Sequence, residues 1–203
     1  MQVKLISMFL LAYLLGSTPA GVWVGKLLYK TDIREHGSGN SGTTNAFRVL
    51  GKQAGIMVLL VDVLKGTAAG LLPLLFNVDI HPMIIGIAAI IGHVFPIFAK
   101  FKGGKAVATS AGVAIAYNPL FLLVMVAIFL ILLYVASMVS FASVTTLILA
   151  FFASLFLQDW IFSTMVFIIM VLVVVRHKEN IKRIREGKEN KVPFGLGAKD
   201  KQK

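Results

Sequence analysis

Residues 37–45 read Gly37-Ser38-Gly39-Asn40-Ser41-Gly42-Thr43-Thr44-Asn45, with Arg48 three positions further on. Three glycines in six residues let the backbone fold tightly and turn successive N–H groups inward. Four hydroxyls and two amides add donors, and the Arg48 guanidinium presents a planar fork to a phosphate. The set suits an oxyanion or phosphate; the plain alternative is a flexible polar loop. It is neither a Walker A loop nor a GxGxxG turn after a strand. A second run, Phe101-Lys102-Gly103-Gly104-Lys105-Ala106-Val107-Ala108-Thr109, places a glycine pair and Lys105 where a helix opens. The positive end of that helix and the ammonium can then face one anion. Just upstream, His93 is a base, a ligand or a hydrogen-bonded packing residue. A third run, Arg176-His177-Lys178-Glu179-Asn180, predicts His177 and Asn180 on one helix face at i, i+3. Ser140 and Ser143 begin an apolar block at the same level.

Asp62 and Lys65 are different in kind, because they interrupt an apolar block. Each costs roughly 2.5–3.5 kcal/mol at the centre of a membrane helix. Their i, i+3 spacing lets them neutralise one another, either as a structural pair or as the backing of an anion site. No paired His, Asp or Glu spacing supports a metal, so neither a metal nor a cofactor is expected. Cys is absent, which removes thiolate chemistry and disulfides. None of the four His is followed by an Asp in a His-x-x-x-x-Asp spacing. At least three anion-suited sites with little acid nearby are more than one phosphate needs. Two phosphate-bearing substrates would use them.

These groups must be positioned by something, and composition says what. The chain has 203 residues, 58% hydrophobic and only 14% charged, with a mean hydropathy of +0.86. A soluble domain carries about 25% charged residues. The apolar blocks run over 5–28, 54–76, 80–99, 106–117, 119–137, 140–157 and 159–175, which is helical span length rather than strand alternation. The expected fold is an all-α integral membrane protein, a single membrane domain over 1–203 forming a seven-transmembrane-helix bundle. Thr18-Pro19-Ala20 resembles a signal-peptide cleavage site, but the apolar stretch continues past it, so the first block reads as a retained span. Gly21-x-x-x-Gly25 and Gly66-x-x-x-Gly70 predict close helix contacts.

Charge sets the expected topology. Of 20 basic residues, 18 fall in the connectors after blocks one and three and in the tail 176–203. These share one side only if the short block 106–117 crosses. The positive-inside rule then puts the N-terminus outside and the C-terminus in the cytoplasm. The net charge of +11 therefore reads as topology and lipid contact, not nucleic-acid binding. Beyond Val192-Pro193-Phe194-Gly195 the Gly and Lys content predicts a frayed end.

Taken in order, Asp32-Ile33-Arg34-x-x-Gly37-Ser38-Gly39-Asn40-x-Gly42-x-Thr44-Asn45-x-x-Arg48, Asp62-x-x-Lys65-Gly66, Gly92-His93-x-Phe95-Pro96, the run 101–109 and Arg176-His177-x-x-Asn180-Ile181 resemble the bacterial acyl-phosphate-dependent glycerol-3-phosphate acyltransferases, the PlsY family. The likeness covers essentially the whole chain. It implies seven spans with the N-terminus outside, in the bacterial plasma membrane, with the active site toward the cytoplasm. It implies transfer of a fatty acyl group from acyl phosphate to the sn-1 hydroxyl of glycerol 3-phosphate, giving lysophosphatidic acid and phosphate. By the family pattern Ser38, Gly39, Asn40, Gly42, Thr44 and Asn45 cradle the acyl-phosphate head. Arg48, Lys105, Ser143, His177 and Asn180 hold glycerol 3-phosphate and are the catalytic set, backed by Asp62 and Lys65. Three positions depart from the pattern: Thr43 for Ala, Ala106 for Gly, and Ser137 where an Arg commonly stands.

An acyl phosphate is already activated, so the demand is proximity and charge stabilisation between two anions. The base for the attacking hydroxyl is the phosphate of glycerol 3-phosphate, whose second pKa lies near 6, or His177, or less readily Asp62. The bilayer delivers the acyl chain, and a soluble acyl-phosphate-producing enzyme is a candidate docking partner for the basic face. A transporter or channel for a phosphate-bearing solute is the alternative function, but inverted repeats are not visible. A CDP-alcohol phosphotransferase would need an Asp-rich metal motif, and a scaffold would leave the glycine loops unexplained.

Overall fold

The structure, a computed structural model, describes residues 1–201, for 199–201 the backbone alone; Lys203 of the basic tail lies outside the described residues. Among the described residues every regular element is helical. The chain divides into two compact units, 1–119 and the residues from 120 onward.

The first unit contains α1 (Gln2–Gly16), α2 (Ala20–Tyr29), α3 (Thr43–Leu50), α4 (Lys52–Gly70), α5 (Leu72–Leu75), α6 (Pro82–Val94) and α7 (Val107–Tyr117), with 3₁₀ turns at Ile33–Glu35 and Ile97–Ala99. Three of the expected continuous blocks are broken, and each break has a proline at its root. Block 5–28 divides into α1 and α2, bent by 43°, because Pro19 offers no N–H and disfavours helix at Thr18. Block 54–76 breaks at Leu71, and α5 starts with Pro73 in its first turn, where the missing donor costs nothing. Block 80–99 leaves the helix at Phe95 (φ −124°, ψ 65°), immediately before Pro96.

α4 lies at the centre of this unit, against α1, α2, α3, α6 and α7. Water provides no drive between helices in lipid, so contact depends on close packing of small residues. The α4–α7 crossing shows how close: a Cβ on Gly66 would lie 2.2 Å from the Thr109 carbonyl oxygen, and one on Gly112 2.0 Å from that of Val63. Thr67 Oγ1 closes the same crossing with a 2.9 Å hydrogen bond to the Gly112 carbonyl. Met8, Ala12, Ala69, Ile85 and Ala89 form a buried cluster where α1, α4 and α6 meet.

The second unit holds α8 (Pro119–Ala136), α9 (Val139–Leu155), α10 (Trp160–Arg176) and α11 (Lys178–Arg185); α8 starts at the boundary residue. α9 packs on α10, and Phe162, fully buried, meets Phe121 edge-on at 5.0 Å. Asp159 caps α10 by accepting from the Phe162 N–H at 2.9 Å. α10 and α11 are bent from one another by 60° at His177, which is the N-cap of α11; the Ile181 N–H donates to the His177 carbonyl at 2.9 Å, so His177 and Asn180 stand on one helical turn, both buried.

Val192–Gly195 itself is pinned to the end of α8; the fraying is expected beyond it, where 202–203 lie outside the described residues. The Val192 N–H donates to the Ser137 carbonyl at 2.7 Å, and Ser137 Oγ to the Phe194 carbonyl at 2.7 Å. Gly195, at φ 92°, passes so near the Tyr134 carbonyl that a Cβ would sit 2.3 Å away. Ser137, one of the three departures, is thus the clasp of the tail.

By length and composition Lys52–Gly70, Pro82–Ala99 and Pro119–Ala136 each suffice to cross a membrane, and the bent pairs α1–α2 and α10–α11 qualify together. Val107–Tyr117 and Val139–Leu155 are shorter apolar helices. Leu120, Leu123, Leu130 and Ile131 on α8 are exposed, which suits a lipid-facing helix and would be a liability in water.

Candidate functional site

The glycine-rich loop is built around Asn45, which is 1% exposed. Its Oδ1 accepts from the Ser38 N–H at 2.9 Å. Its Nδ2 donates to the carbonyls of Ile33 (2.7 Å), Asn40 (2.9 Å) and His36 (3.1 Å). Asn45, expected to touch a ligand, therefore spends its amide holding the loop in shape. Asn40 does likewise with its Oδ1, which accepts from the Gly42 N–H at 2.9 Å. Gly37 (φ 61°) and Gly39 (φ 69°) take left-handed turns that a side chain resists. Gly42 then starts α3, whose first N–H groups, at Thr43 and Thr44, lack the carbonyl a helix interior would supply. Polar donors at a helix start under a tight loop have the chemistry to receive an anion.

The loop is seated from below. A Cβ on Gly21 would lie 2.1 Å from the Ser41 carbonyl oxygen, and one on Gly25 2.6 Å from that of Thr31. The first GxxxG pair thus faces the loop 31–41, where a second helix was expected. At the loop's entrance Asp32 accepts from Arg34 Nε (2.9 Å) and its NH2 group (2.7 Å), and lies 3.2 Å from Lys26 Nζ. The hydrogen bonds from Arg34 hold the Asp32 carboxyl well below its usual range, and Asp32 raises Arg34 in turn. Arg34 also donates to the Ala99 carbonyl at 3.3 Å, tying this connector to the one after α6. Arg48 is exposed on α3, with no carboxylate in ion-pair range among the described residues.

The run 101–109 folds over His93. The Gly104 N–H donates to the His93 carbonyl at 3.1 Å, and a Cβ on Gly104 would sit 2.2 Å from His93 Nε2. Here the glycine pair buys closeness to the imidazole. Ala106, with φ 62°, caps α7 in the left-handed region, which explains why glycine is usual there. Lys105, half-buried, immediately precedes this cap.

Beneath lies a buried polar cluster. Lys65 Nζ is 2.8 Å from Asp62 Oδ1, His93 Nδ1 is 3.4 Å from the same oxygen, and Thr109 Oγ1 is 3.1 Å from His93 Nδ1. Lys65 also donates to the Thr18 carbonyl at 2.8 Å, an oxygen made available by the α1–α2 break. Asp62 and Lys65 thus support the run 101–109 through His93, and Thr109 joins them without having been singled out.

In the second unit the centre is Glu189, 8% exposed, a residue that passed for one charge of a solvated tail. Its Oε1 accepts from Asn180 Nδ2 (2.6 Å) and Ser140 Oγ (2.8 Å), and its Oε2 from Arg183 Nε (2.8 Å). Burial raises its carboxyl pKa, but the bonds from Asn180, Ser140 and Arg183 outweigh that and hold it below the ordinary value. Ser143 Oγ donates to the Val139 carbonyl at 2.8 Å. His177, 4% exposed, places Nδ1 2.8 Å from the Val173 carbonyl. A carbonyl only accepts, so Nδ1 carries the hydrogen and Nε2 is the basic atom of the neutral ring.

The likeness to known proteins runs along the whole chain. A family model described as glycerol-3-phosphate acyltransferase matches residues 6–187. A glycerol-3-phosphate acyltransferase of Enterococcus faecalis is 50% identical over 208 residues, 97% of this chain and 96% of that one. One of Streptococcus thermophilus is 52% identical over 204 residues, 96% of each. The crystal structure of PlsY, an integral membrane glycerol 3-phosphate acyltransferase, in its glycerol 3-phosphate form matches with a TM-score of 0.84 at 38% identity, over 92% of this chain and 94% of that one. Its lysophosphatidic acid form gives 0.81 at 37%, with the same coverage.

Proposed function

Since the chain belongs to the glycerol-3-phosphate acyltransferase family, integral membrane enzymes that acylate glycerol 3-phosphate, we propose acyl phosphate as its donor. The sn-1 hydroxyl attacks the acyl carbon, a carbon–oxygen bond forms, and the bond to the phosphate oxygen breaks. The products are 1-acyl-glycerol 3-phosphate and inorganic phosphate, the first committed step of bacterial phospholipid synthesis. The observation that carries this reading is the loop 37–45, rigidly held by Asn45 and opening onto the start of α3. Such a cradle takes a phosphate head and needs no handle for a thioester.

In this reading the N–H and hydroxyl groups of Ser38, Gly39, Gly42 and Thr44 receive the donor phosphate, while Asn40 and Asn45 shape the loop around it. Arg48, Lys105, Ser143, His177 and Asn180 bind glycerol 3-phosphate. The leaving phosphate departs readily, so the protein supplies position and positive charge. The hydroxyl proton passes to the phosphate of glycerol 3-phosphate, and His177 Nε2 serves as a hydrogen-bonding partner of that substrate.

The enzyme is a seven-span membrane domain of the bacterial plasma membrane, with its N-terminus outside and its active site toward the cytoplasm. Three long helices, two bent pairs and two shorter apolar helices support that count. A soluble acyl-phosphate-producing enzyme docks on the basic cytoplasmic connectors.

The test is acyl transfer to labelled glycerol 3-phosphate by detergent-purified protein. Palmitoyl phosphate, palmitoyl-CoA and palmitoyl-carrier-protein are offered separately, with and without EDTA. Product from palmitoyl phosphate alone, indifferent to EDTA, is the expected result; turnover of either thioester overturns the donor assignment.

A further inference from the structure

The 60° bend between α10 and α11 has a concave side that none of the chemistry above uses. It forms an open groove of about 480 Å³. One wall is apolar: Val174 and Val175 at the end of the membrane helix, and Ile181. The other is cationic: Lys178, Lys182 and Arg185. Spacings of three and four keep these three charges on one side of α11. Asn180 and Arg183, bound to Glu189, occupy the other. Glu186 is the carboxylate of the groove, and Lys188 stands 3.7 Å from it, so the surplus of positive charge remains.

We propose that this groove binds one anionic phospholipid of the adjacent leaflet. The headgroup phosphate meets Lys178, Lys182 and Arg185, and an acyl chain lies along Val174, Val175 and Ile181. Two features argue for a lipid over a soluble anion. The apolar wall continues a membrane helix, so it lies at the depth of acyl chains, and Val175 is 59% exposed there. The cations begin directly beyond that helix, at headgroup level. A free phosphate would use the second wall and have no use for the first.

The experiment uses the full chain, delipidated in neutral detergent and titrated with phosphatidylglycerol or phosphatidylcholine, with bound lipid counted by native mass spectrometry. One phosphatidylglycerol should be retained in preference to phosphatidylcholine. K178Q/K182Q/R185Q should weaken it about tenfold or more, while K30Q/K52Q/K100Q, which removes equal charge from exposed sites elsewhere, changes it less than about twofold. V175W fills the groove without touching charge and should also weaken binding. Equal losses in the two triple variants, or V175W binding like the parent, would overturn the site in favour of diffuse attraction. Displacement of the lipid by millimolar inorganic phosphate would overturn the lipid in favour of a bare anion site. Should the first triple variant fail to fold, V175W carries the test alone. Acyl transfer by each variant in lipid-free detergent is read in parallel, so loss of lipid retention is separable from loss of the reaction.

Discussion

The Nδ1–H of His177 is bound to the Val173 carbonyl, so the ring meets a substrate through Nε2. If Nε2 were the general base, H177Q would lower kcat by about 10² to 10⁴. With the substrate's own phosphate taking the proton, H177Q lowers kcat less than about tenfold and raises the KM for glycerol 3-phosphate, and steady-state kinetics in detergent separate the two. Ala106 gives a stability test. At φ 62° a Cβ costs about 1–2 kcal/mol, which the burial of its methyl partly offsets. A106G should therefore melt within a few degrees of the parent. A106V, which puts a branched Cβ into the left-handed region, should lose about 2 kcal/mol or more in a thermal melt. Residue types at this scale were readable in the sequence: the glycine loop, Lys105 and the Asp62–Lys65 pair all stood out. Their division of labour was not, because an amide that binds a ligand and one that staples a loop, as Asn45 does, are the same letter. Glu189 was hidden for the opposite reason. Its neighbours in sequence are charged and exposed, and only the return of the tail to Ser140 and Asn180 buries it.

Among the elements, four of the apolar blocks coincide with single helices, α7 to α10, since hydropathy and length suffice for that. Breaks inside the blocks were missed, although Pro19, Pro73 and Pro96 mark them. The meaning of small residues was half legible: Gly66-x-x-x-Gly70 faces a helix, α7, whereas Gly21-x-x-x-Gly25 faces a loop. That difference makes a prediction. G21A forces α2 and the Ser41 carbonyl apart, so the cradle shifts while the helix bundle keeps its core. Acyl-phosphate KM should rise at least about tenfold with a melting temperature lowered by only a few degrees, measured on the same preparation. G112A, by contrast, drives its Cβ into the Val63 carbonyl at the α4–α7 crossing and should destabilise by about 1–3 kcal/mol.

On the scale of the chain, acid and base are distributed so that a few carboxylates carry structural weight. Glu189 has its folded pKa held below the ordinary 4.5. Its contribution is therefore complete above that value and fades as pH falls through the depressed one. Protection against hydrogen exchange over residues 189–197, relative to the intrinsic rate at each pH, should be high at neutral pH and fall as pH drops below 4.5; E189Q should show the low protection already at neutral pH. The broken first helix has a consequence of another kind, for biogenesis. A helix bearing Asp62 and Lys65 is a poor candidate to enter a bilayer alone, at roughly 2.5–3.5 kcal/mol for each charge. The Thr18 carbonyl that receives Lys65 belongs to a segment synthesised earlier, so when α4 leaves the ribosome its acceptor has already been made. His93, which completes the cluster, follows only with α6. The kink at Pro19 thus serves as a waiting dock for the next segment, and the order of translation becomes an order of assembly.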